Sequence, residues 1–505
     1  MSTNSSVREA SVPGTFRSLS HGVPVQVAAL LLLFTTAAWI GSAHLSALAD
    51  PDVWWHLSTG DWILQNHAMP HDGLFSQYST LPWTDSSWLF DMLLAALYKM
   101  IGLRALPVLL MGFKVAIAVM TFALARGSRS NFWPAVFLAA AAQYAIPSLP
   151  PGPVVCSIVL FAIELNLLFG AKRTGNVRPL FWLPVLFLLW VNLDVGFIFG
   201  LLLLLLFSVV AFGEEVGRRS EAGSSASQTP AIPPRAAATV LAASFIAALV
   251  SPYFLHSYAA ASQQLWLLVP YVQNLHAISF RHPQDYVLLL LAMAAFFSLG
   301  RRRSRDMFQV ILMIACLALA FTRQRDIWLL ALASVAVIAD ALPMGSRLAQ
   351  PENNGRPWRM TKLATAGLVL IAFVAIALSR IPSSREALLS KVGETFPVRA
   401  GDYIRANHLP PPIFNAYDWG GFLTWYLPEY PVSIDSRTAL YGDEINARYF
   451  KVTTAEIPLD ADPSFANART ILLRKDSPMA VALSSVPQFK VAYQDDVAMV
   501  LLQNQ

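Results

Sequence analysis

The reading turns on one stretch, Asp50–Asp91: DPDVWWHLSTGDWILQNHAMPHDGLFSQYSTLPWTDSSWLFD. It carries six aspartates, at positions 50, 52, 61, 72, 85 and 91, and five of the chain's 14 tryptophans. No Lys or Arg occurs between Gly41 and Tyr98. It follows the first long apolar run and precedes most of the others. An acidic, Trp-rich loop between membrane segments is where chemistry is expected.

Composition sets the frame. Of 505 residues, 55% are apolar and only 13% charged, against about 25% charged in an ordinary soluble domain. Repeated apolar runs of roughly 15 to 22 residues indicate a polytopic membrane protein, an all-α bundle. The net charge of +5 matters less than its placement in short loops, which orient the spans by the positive-inside rule. No basic face suited to nucleic acid is present. Cys156 and Cys316 both lie in apolar segments, which argues against a disulfide framework or a thiolate metal site. The first apolar run lacks a clear cleavage site and reads as a retained anchor.

The segment 86–101 decides the topology. If it crosses the membrane, the loops with Arg126 and Arg129, with Lys172, Arg173 and Arg178, and with Arg218 and Arg219 all fall outside. If it lies flat as an amphipathic helix, all of them become cytoplasmic, as the charge rule requires. The second choice gives about 11 spans: 24–46, 103–125, 132–148, 153–170, 179–193, 196–213, 236–250, 285–300, 307–322, 327–344 and 361–380. Residues 1–22 then form a disordered cytoplasmic tail and 23–380 a transmembrane domain, with 50–102 as its first outer loop. The 214–235 linker and the basic 301–305 loop are cytoplasmic. Residues 381–505 read as a small outer α/β domain. Its expected strands are Pro412–Asn415, Val432–Asp435, Thr470–Arg474, Phe489–Tyr493 and Ala498–Gln503. Its expected helices are Val398–Asn407, Phe422–Leu427 and Pro478–Leu483. The location that follows is the cytoplasmic (inner) membrane, N-terminus inside and C-terminal domain outside.

Candidate chemistry clusters on the outer side. Asp50 and Asp52 flank a proline that disfavours helix at Asp50. Such a pair can act as general base and partner, bind a divalent cation, or be solvated loop charge. His56 is a second candidate base or a structural histidine. Trp54 and Trp55 are candidates for substrate contact or for an interfacial aromatic belt. Asp85, from the same loop, and Asp194, at the outer end of a span, are candidates to face the same cavity. The outer turn Thr322–Asp326 breaks the charge rule with Arg323 and Arg325. A guanidinium fork suits phosphate, and pairing with Asp326 is the alternative. Arg281 is a weaker cationic candidate. Lys114 and Glu164 lie inside apolar spans, where an interhelical pair is the expected arrangement. Asp435-Ser-Arg437 is read as a local salt bridge or a contact to the membrane domain.

The motif Asp50-x-Asp52-x-Trp54-Trp55-His56-Leu57, followed by Gly60, Ile63, Pro70, Asp72, Phe75-Ser76, Trp83 and Trp88-Leu89, resembles bacterial membrane proteins of the GT-C glycosyltransferase superfamily. Within it the chain is similar to uncharacterised relatives of the rhizobial galacturonosyltransferases and of the protein mannosyl- and lipid A aminoarabinosyltransferases. Asn415…Trp419-Gly420-Gly421…Ile434-Asp435-x-Arg437…Tyr441-Gly442 looks like the tail of the same subgroup. The resemblance implies a polyprenyl-phosphate sugar donor, inversion at the anomeric carbon, an extracytoplasmic glycan, lipid or protein acceptor, and helices lying on the outer leaflet. By position it makes Asp52 the catalytic residue, with Asp50 second. A divalent metal held by Asp50 and Asp52 is possible under it but not required. The rival class is a non-enzymatic transporter or lipid-handling scaffold. It predicts a midplane cavity at Lys114 and Glu164, where the transferase class predicts an outer one.

Overall fold

The computed structural model describes residues 23–503 except 44, 128–131, 147–149, 221–231, 267–275, 302–305, 343–366, 368–370 and 372. The tail 1–22, half of the linker, most of the 301–305 loop and half of the span expected at 361–380 lie outside the described residues.

Helix α1 (Val23–Ala43) leads into the acidic stretch, which folds as two helices, α2 (Asp52–Asn66) and α3 (Trp88–Ile101). Local chemistry sets their ends. Asp50 Oδ1 accepts from the backbone N–H groups of Asp52 (3.0 Å) and Val53 (2.9 Å), satisfying donors that a helix N-terminus leaves open. At the far end His67 turns left-handed (φ 50°) and its N–H returns to Ile63 O. Asp85 Oδ1 likewise holds the N–H and hydroxyl of Ser87 ahead of α3. Gly102, at φ +63°, breaks the chain between α3 and α4 (Ala105–Arg126).

The bundle continues with α5 (Phe132–Ala145), α6 (Val154–Thr174), α7 (Leu183–Leu193), α8 (Phe197–Ser220), α9 (Pro234–Ala247), α10 (Leu255–Trp266), α11 (Pro283–Arg301), α12 (Met307–Thr322) and α13 (Ile327–Ala341). Among the described residues four helical runs are long and apolar enough to cross a membrane: Trp88–Arg126, Val154–Thr174, Phe197–Arg219 and Pro283–Arg301. Shorter apolar helices occupy Val25–Ile40, Phe132–Ala145, Arg178–Leu193, Pro234–Ala247 and Met307–Thr322. One end of the bundle is tied by Lys172, which reaches Asp306 (2.7 Å) and Glu214 (3.1 Å). The other end of α6 carries Ser157, roughly 22 Å away by helix rise.

The chain closes with α14 (Arg385–Val392), α15 (Val398–Ala406), α16 (Gly420–Tyr426), α17 (Thr438–Thr453) and α18 (Pro478–Ser484) around a four-stranded sheet. Its strands are β1 (Ile413–Asn415), β2 (Thr470–Arg474), β3 (Phe489–Gln494) and β4 (Ala498–Gln503), in the order β1-β2-β4-β3. The β1–β2 pair is parallel and the other pairs are antiparallel. The strand expected at Val432–Asp435 is absent. Asn415 fastens that segment instead, accepting from Ser433 N and donating to Ile434 O, and a single bridge links Val432 to Ser76.

This C-terminal portion sits directly on α2. Trp54 packs among Phe396, Phe422 and Trp425, with ring centroids 5.8, 5.5 and 4.7 Å away, and Thr424 donates to Ser58. The pair α2 and α3 is equally close. A Cβ on Gly60 would stand 1.9 Å from Asp91 O. Gly60→Ala is therefore expected to force the two helices apart, at or above the roughly 3 kcal/mol upper end of ordinary overpacking. A thermal melt of the purified protein checks this; an unchanged midpoint would refute the close packing.

Candidate functional site

Asp52, Trp55 and His56 stand three and four residues apart, so they share one face of α2. The Asp52 carboxyl is half-buried, keeping some solvent contact. Burial raises its pKa, the hydroxyl of Ser436 and the neighbouring His56 lower it, and Asp435 and Asp418 raise it; the net direction is upward. Asp50 is pushed up to about 8, first by burial and then by repulsion from Asp52, against the two backbone N–H groups it caps. That cap takes one of its oxygens, so Asp50 anchors the helix that presents Asp52.

His56 is buried, and its Nδ1 lies 2.6 Å from Asp91 Oδ1. It stacks on Trp55 (3.6 Å between centroids) and meets Phe90 edge-on. Burial lowers its pKa to about 4, opposed by Asp85, Asp52 and Asp194 and reinforced by Arg437. The imidazole is therefore neutral near pH 7, and Asp91 fixes its orientation. Asp85, 1% exposed, also lies beside Asp91, and burial pushes its carboxyl well above the usual range.

Asp194 forms the third wall. It is buried between α7 and α8, accepts from Gly196 N (3.0 Å) and from the Ser157 hydroxyl, and Trp190 Nε1 donates to that hydroxyl (2.7 Å). A narrow cleft of about 60 Å³ is lined by Asp194, Arg325 and Asp326, which puts the Thr322–Asp326 turn at the same end of the bundle as α2. Arg323 is buried and pairs with Asp326 (3.1 Å), which Arg325 also approaches (3.6 Å) while keeping solvent contact.

Two expectations need correction. Trp54 offers no face to a substrate, because it is fully buried in the aromatic cluster above. Lys114 and Glu164 do not pair: both Glu164 oxygens are buried without a hydrogen-bond partner, against Trp190 and Gly200. Arg281 is exposed on the loop before α11, and the backbone of that loop pairs with the Thr322–Asp326 turn, Ile278 N donating to Phe321 O and Gln324 N to His276 O.

The fourth wall comes from the C-terminal portion. Arg437 grips Asp435 through Nε (3.0 and 3.1 Å) and Nη2 (2.6 Å), and Nη2 also donates to Leu74 O (2.8 Å) in the acidic loop. Tyr441 donates to Asp435 and lies within hydrogen-bond distance of Ser76. Both readings of Asp435-Ser-Arg437 from the sequence thus hold at once. Asp91 was visible only as a charge in a short apolar helix, and its role as the partner of His56 comes from packing. Among the described residues no group of three or more His, Cys, Asp or Glu is arranged to hold a metal.

No family model and no curated protein sequence matches the chain. Solved structures do. The archaeal oligosaccharyltransferase AglB from Archaeoglobus fulgidus, in complex with an inhibitory peptide and a dolichol-phosphate, matches with a TM-score of 0.52 at 13% identity, over 94% of this chain and 74% of that one. Its apo form gives 0.51 at 13%, over 88% and 69%. ArnT from Cupriavidus metallidurans bound to undecaprenyl phosphate gives 0.45 at 14%, over 97% and 98%. The fold is that of the archaeal oligosaccharyltransferase structures.

Proposed function

We propose that this protein is a membrane glycosyltransferase that moves a sugar from a polyprenyl-phosphate donor to an extracytoplasmic hydroxyl with inversion. The observation that carries the reading is the convergence of Asp52, His56–Asp91, Asp194 and Arg325 at one end of a bundle with the GT-C fold. The dolichol-phosphate in the oligosaccharyltransferase structure supports the class of donor. The topology that goes with it has about 11 spans, the N-terminus inside and residues 381–505 outside, covering the site.

Asp52 accepts the proton of the acceptor hydroxyl. The acceptor oxygen bonds to the anomeric carbon, and the bond from that carbon to the phosphate oxygen breaks. The electron pair leaves with the polyprenyl phosphate, whose charge Arg325 stabilises; Arg323 is committed to Asp326 and holds the turn. Asp50 caps the helix, and Asp85 and Asp91 orient His56. The step balances without a metal. An apolar groove of about 620 Å³ between α3, α6 and α7, lined by residues such as Leu160, Ile163, Val185 and Leu189, ends at Trp88 and Asn192. It gives the lipid tail a path to the site.

The test is turnover in proteoliposomes with a short-chain polyprenyl-phosphate sugar. Polyprenyl phosphate should be released, and the glycoside formed should have the opposite anomeric configuration to the donor. A product with retained configuration would sink the single-displacement mechanism.

A further inference from the structure

Two nitrogen donors near Asp52 have no partner. Arg437 is 4% exposed. Its Nε and Nη2 edge is used by Asp435 and Leu74 O, while Nη1, on the other edge, is buried and unpaired. Trp55 Nε1 is buried and unpaired as well. A contiguous ring path connects them: the guanidinium sits 4.8 Å over Trp83, Trp83 meets Trp55 edge-on at 6.0 Å, and Trp55 stacks on His56. Arg437 acts electrostatically on His56, and the adjacent Ser436 on Asp52.

Both spare groups are donors that cannot accept a hydrogen bond. Leaving them buried and unmatched is unfavourable, so the group that completes them must bring lone pairs and not protons. A guanidinium edge and an indole N–H on either side of the Trp83 ring each suit an oxyanion. Burial also holds the nearby carboxyls of Asp50 and Asp85 toward their neutral forms, which eases the approach of an anion. On the membrane side, by contrast, Arg323 and Arg325 both face Asp326.

We infer that Arg437 and Trp55 form an oxyanion subsite that binds the phosphate oxygens of the substrate, so that the C-terminal portion supplies a binding residue to the site. The inference rests on the transferase reading for the lipid that carries the phosphate. It makes Arg437 a specificity residue, while Asp52 remains the base.

The experiment uses the full-length protein in phosphatidylcholine nanodiscs and reads binding by tryptophan fluorescence. The probes are farnesyl phosphate, farnesol and inorganic phosphate. Wild type should bind farnesyl phosphate roughly tenfold or more tighter than farnesol. Arg437→Lys keeps a charge for Asp435 but lacks the second edge. It should weaken farnesyl phosphate roughly tenfold and leave farnesol unchanged. Trp55→Phe keeps the ring on His56 and loses the N–H, and it should weaken the same probe several-fold. Displacement by inorganic phosphate would show that the free anion suffices; no displacement would tie recognition to lipid-borne phosphate. Either result supports the subsite if the variants weaken binding. A folded Arg437→Lys that binds farnesyl phosphate like wild type overturns the inference alone. If Arg437→Lys does not fold, an unchanged Trp55→Phe overturns it. A wild type without preference for farnesyl phosphate over farnesol overturns the transferase reading along with it.

Discussion

Asp52→Asn is expected to lower sugar transfer by about 10²- to 10⁴-fold, the usual contribution of a positioned base, with donor binding little changed. Asn has the same shape and can still meet Ser436, but it cannot take the acceptor's proton. The wild-type pH profile gives a second readout. Asp52 must be ionised to act, so the rate rises with pH. Burial raises its pKa, so the limb should lie above the ordinary carboxylate range. The Asp52 charge in turn helps to push Asp50 up to about 8, and the limb therefore belongs to the pair and not to one residue. His56, held near 4, stays neutral across this range. His56→Gln should leave the position of the limb largely in place while lowering the rate. Full turnover by Asp52→Asn, or a limb at the ordinary value near 4, would remove Asp52 as the base.

The parts of the fold that local rules govern were legible in the chain. The separate helix over 86–101 and β1 to β4 follow from charge and alternation, whereas the stretch Asp52–Asn66, a helix in the structure, reads from its residues only as loop. The site was legible only in part, for two physical reasons. The first is helical phase. Trp54 and Trp55 are adjacent, so they point about 100° apart on α2; one had to enter the core, and the sequence does not say which. The second is distance along the chain. His56 meets Asp91, Arg437 meets Leu74, and Asp194 joins Arg325, none of them through local periodicity. Val432–Asp435 failed as a strand for a related reason: its alternation is strand-like, but its backbone partners are the side chain of Asn415 and the loop groups Phe75 O and Gln77 N–H. Glu164 shows the opposite case. The sequence offered Lys114 as its partner, and the packing put Glu164 against Trp190 and Gly200 instead.

If the site is built across two portions of the chain, Gly421→Ala should disable it without touching any reacting group. Gly421 lies in the first turn of α16, directly over the Asp50-Pro51-Asp52 turn. A Cβ there would stand 2.3 Å from Pro51 O and 3.4 Å from the Trp55 ring. Pro51 O is backbone, fixed by a ring that locks φ and by the Asp50 cap beside it, so it cannot swing away as a long side chain would. Either α16 lifts off α2 or the Asp50–Asp52 turn moves. In the first case Trp54 loses contact with Phe422 and Trp425, and aromatic pairs are worth about 0.5–1.5 kcal/mol each beyond their buried area. In the second, Asp52 shifts against Ser436, and a displacement on the order of 1 Å at a reacting group costs about 10²-fold. The two are separable: the first lowers the melting midpoint, and the second lowers turnover while the midpoint holds. Gly421→Ala with wild-type melting and wild-type transfer would show that the C-terminal portion is not held against α2 in the working protein. The position of Asp52 would then have to be set by the membrane helices alone.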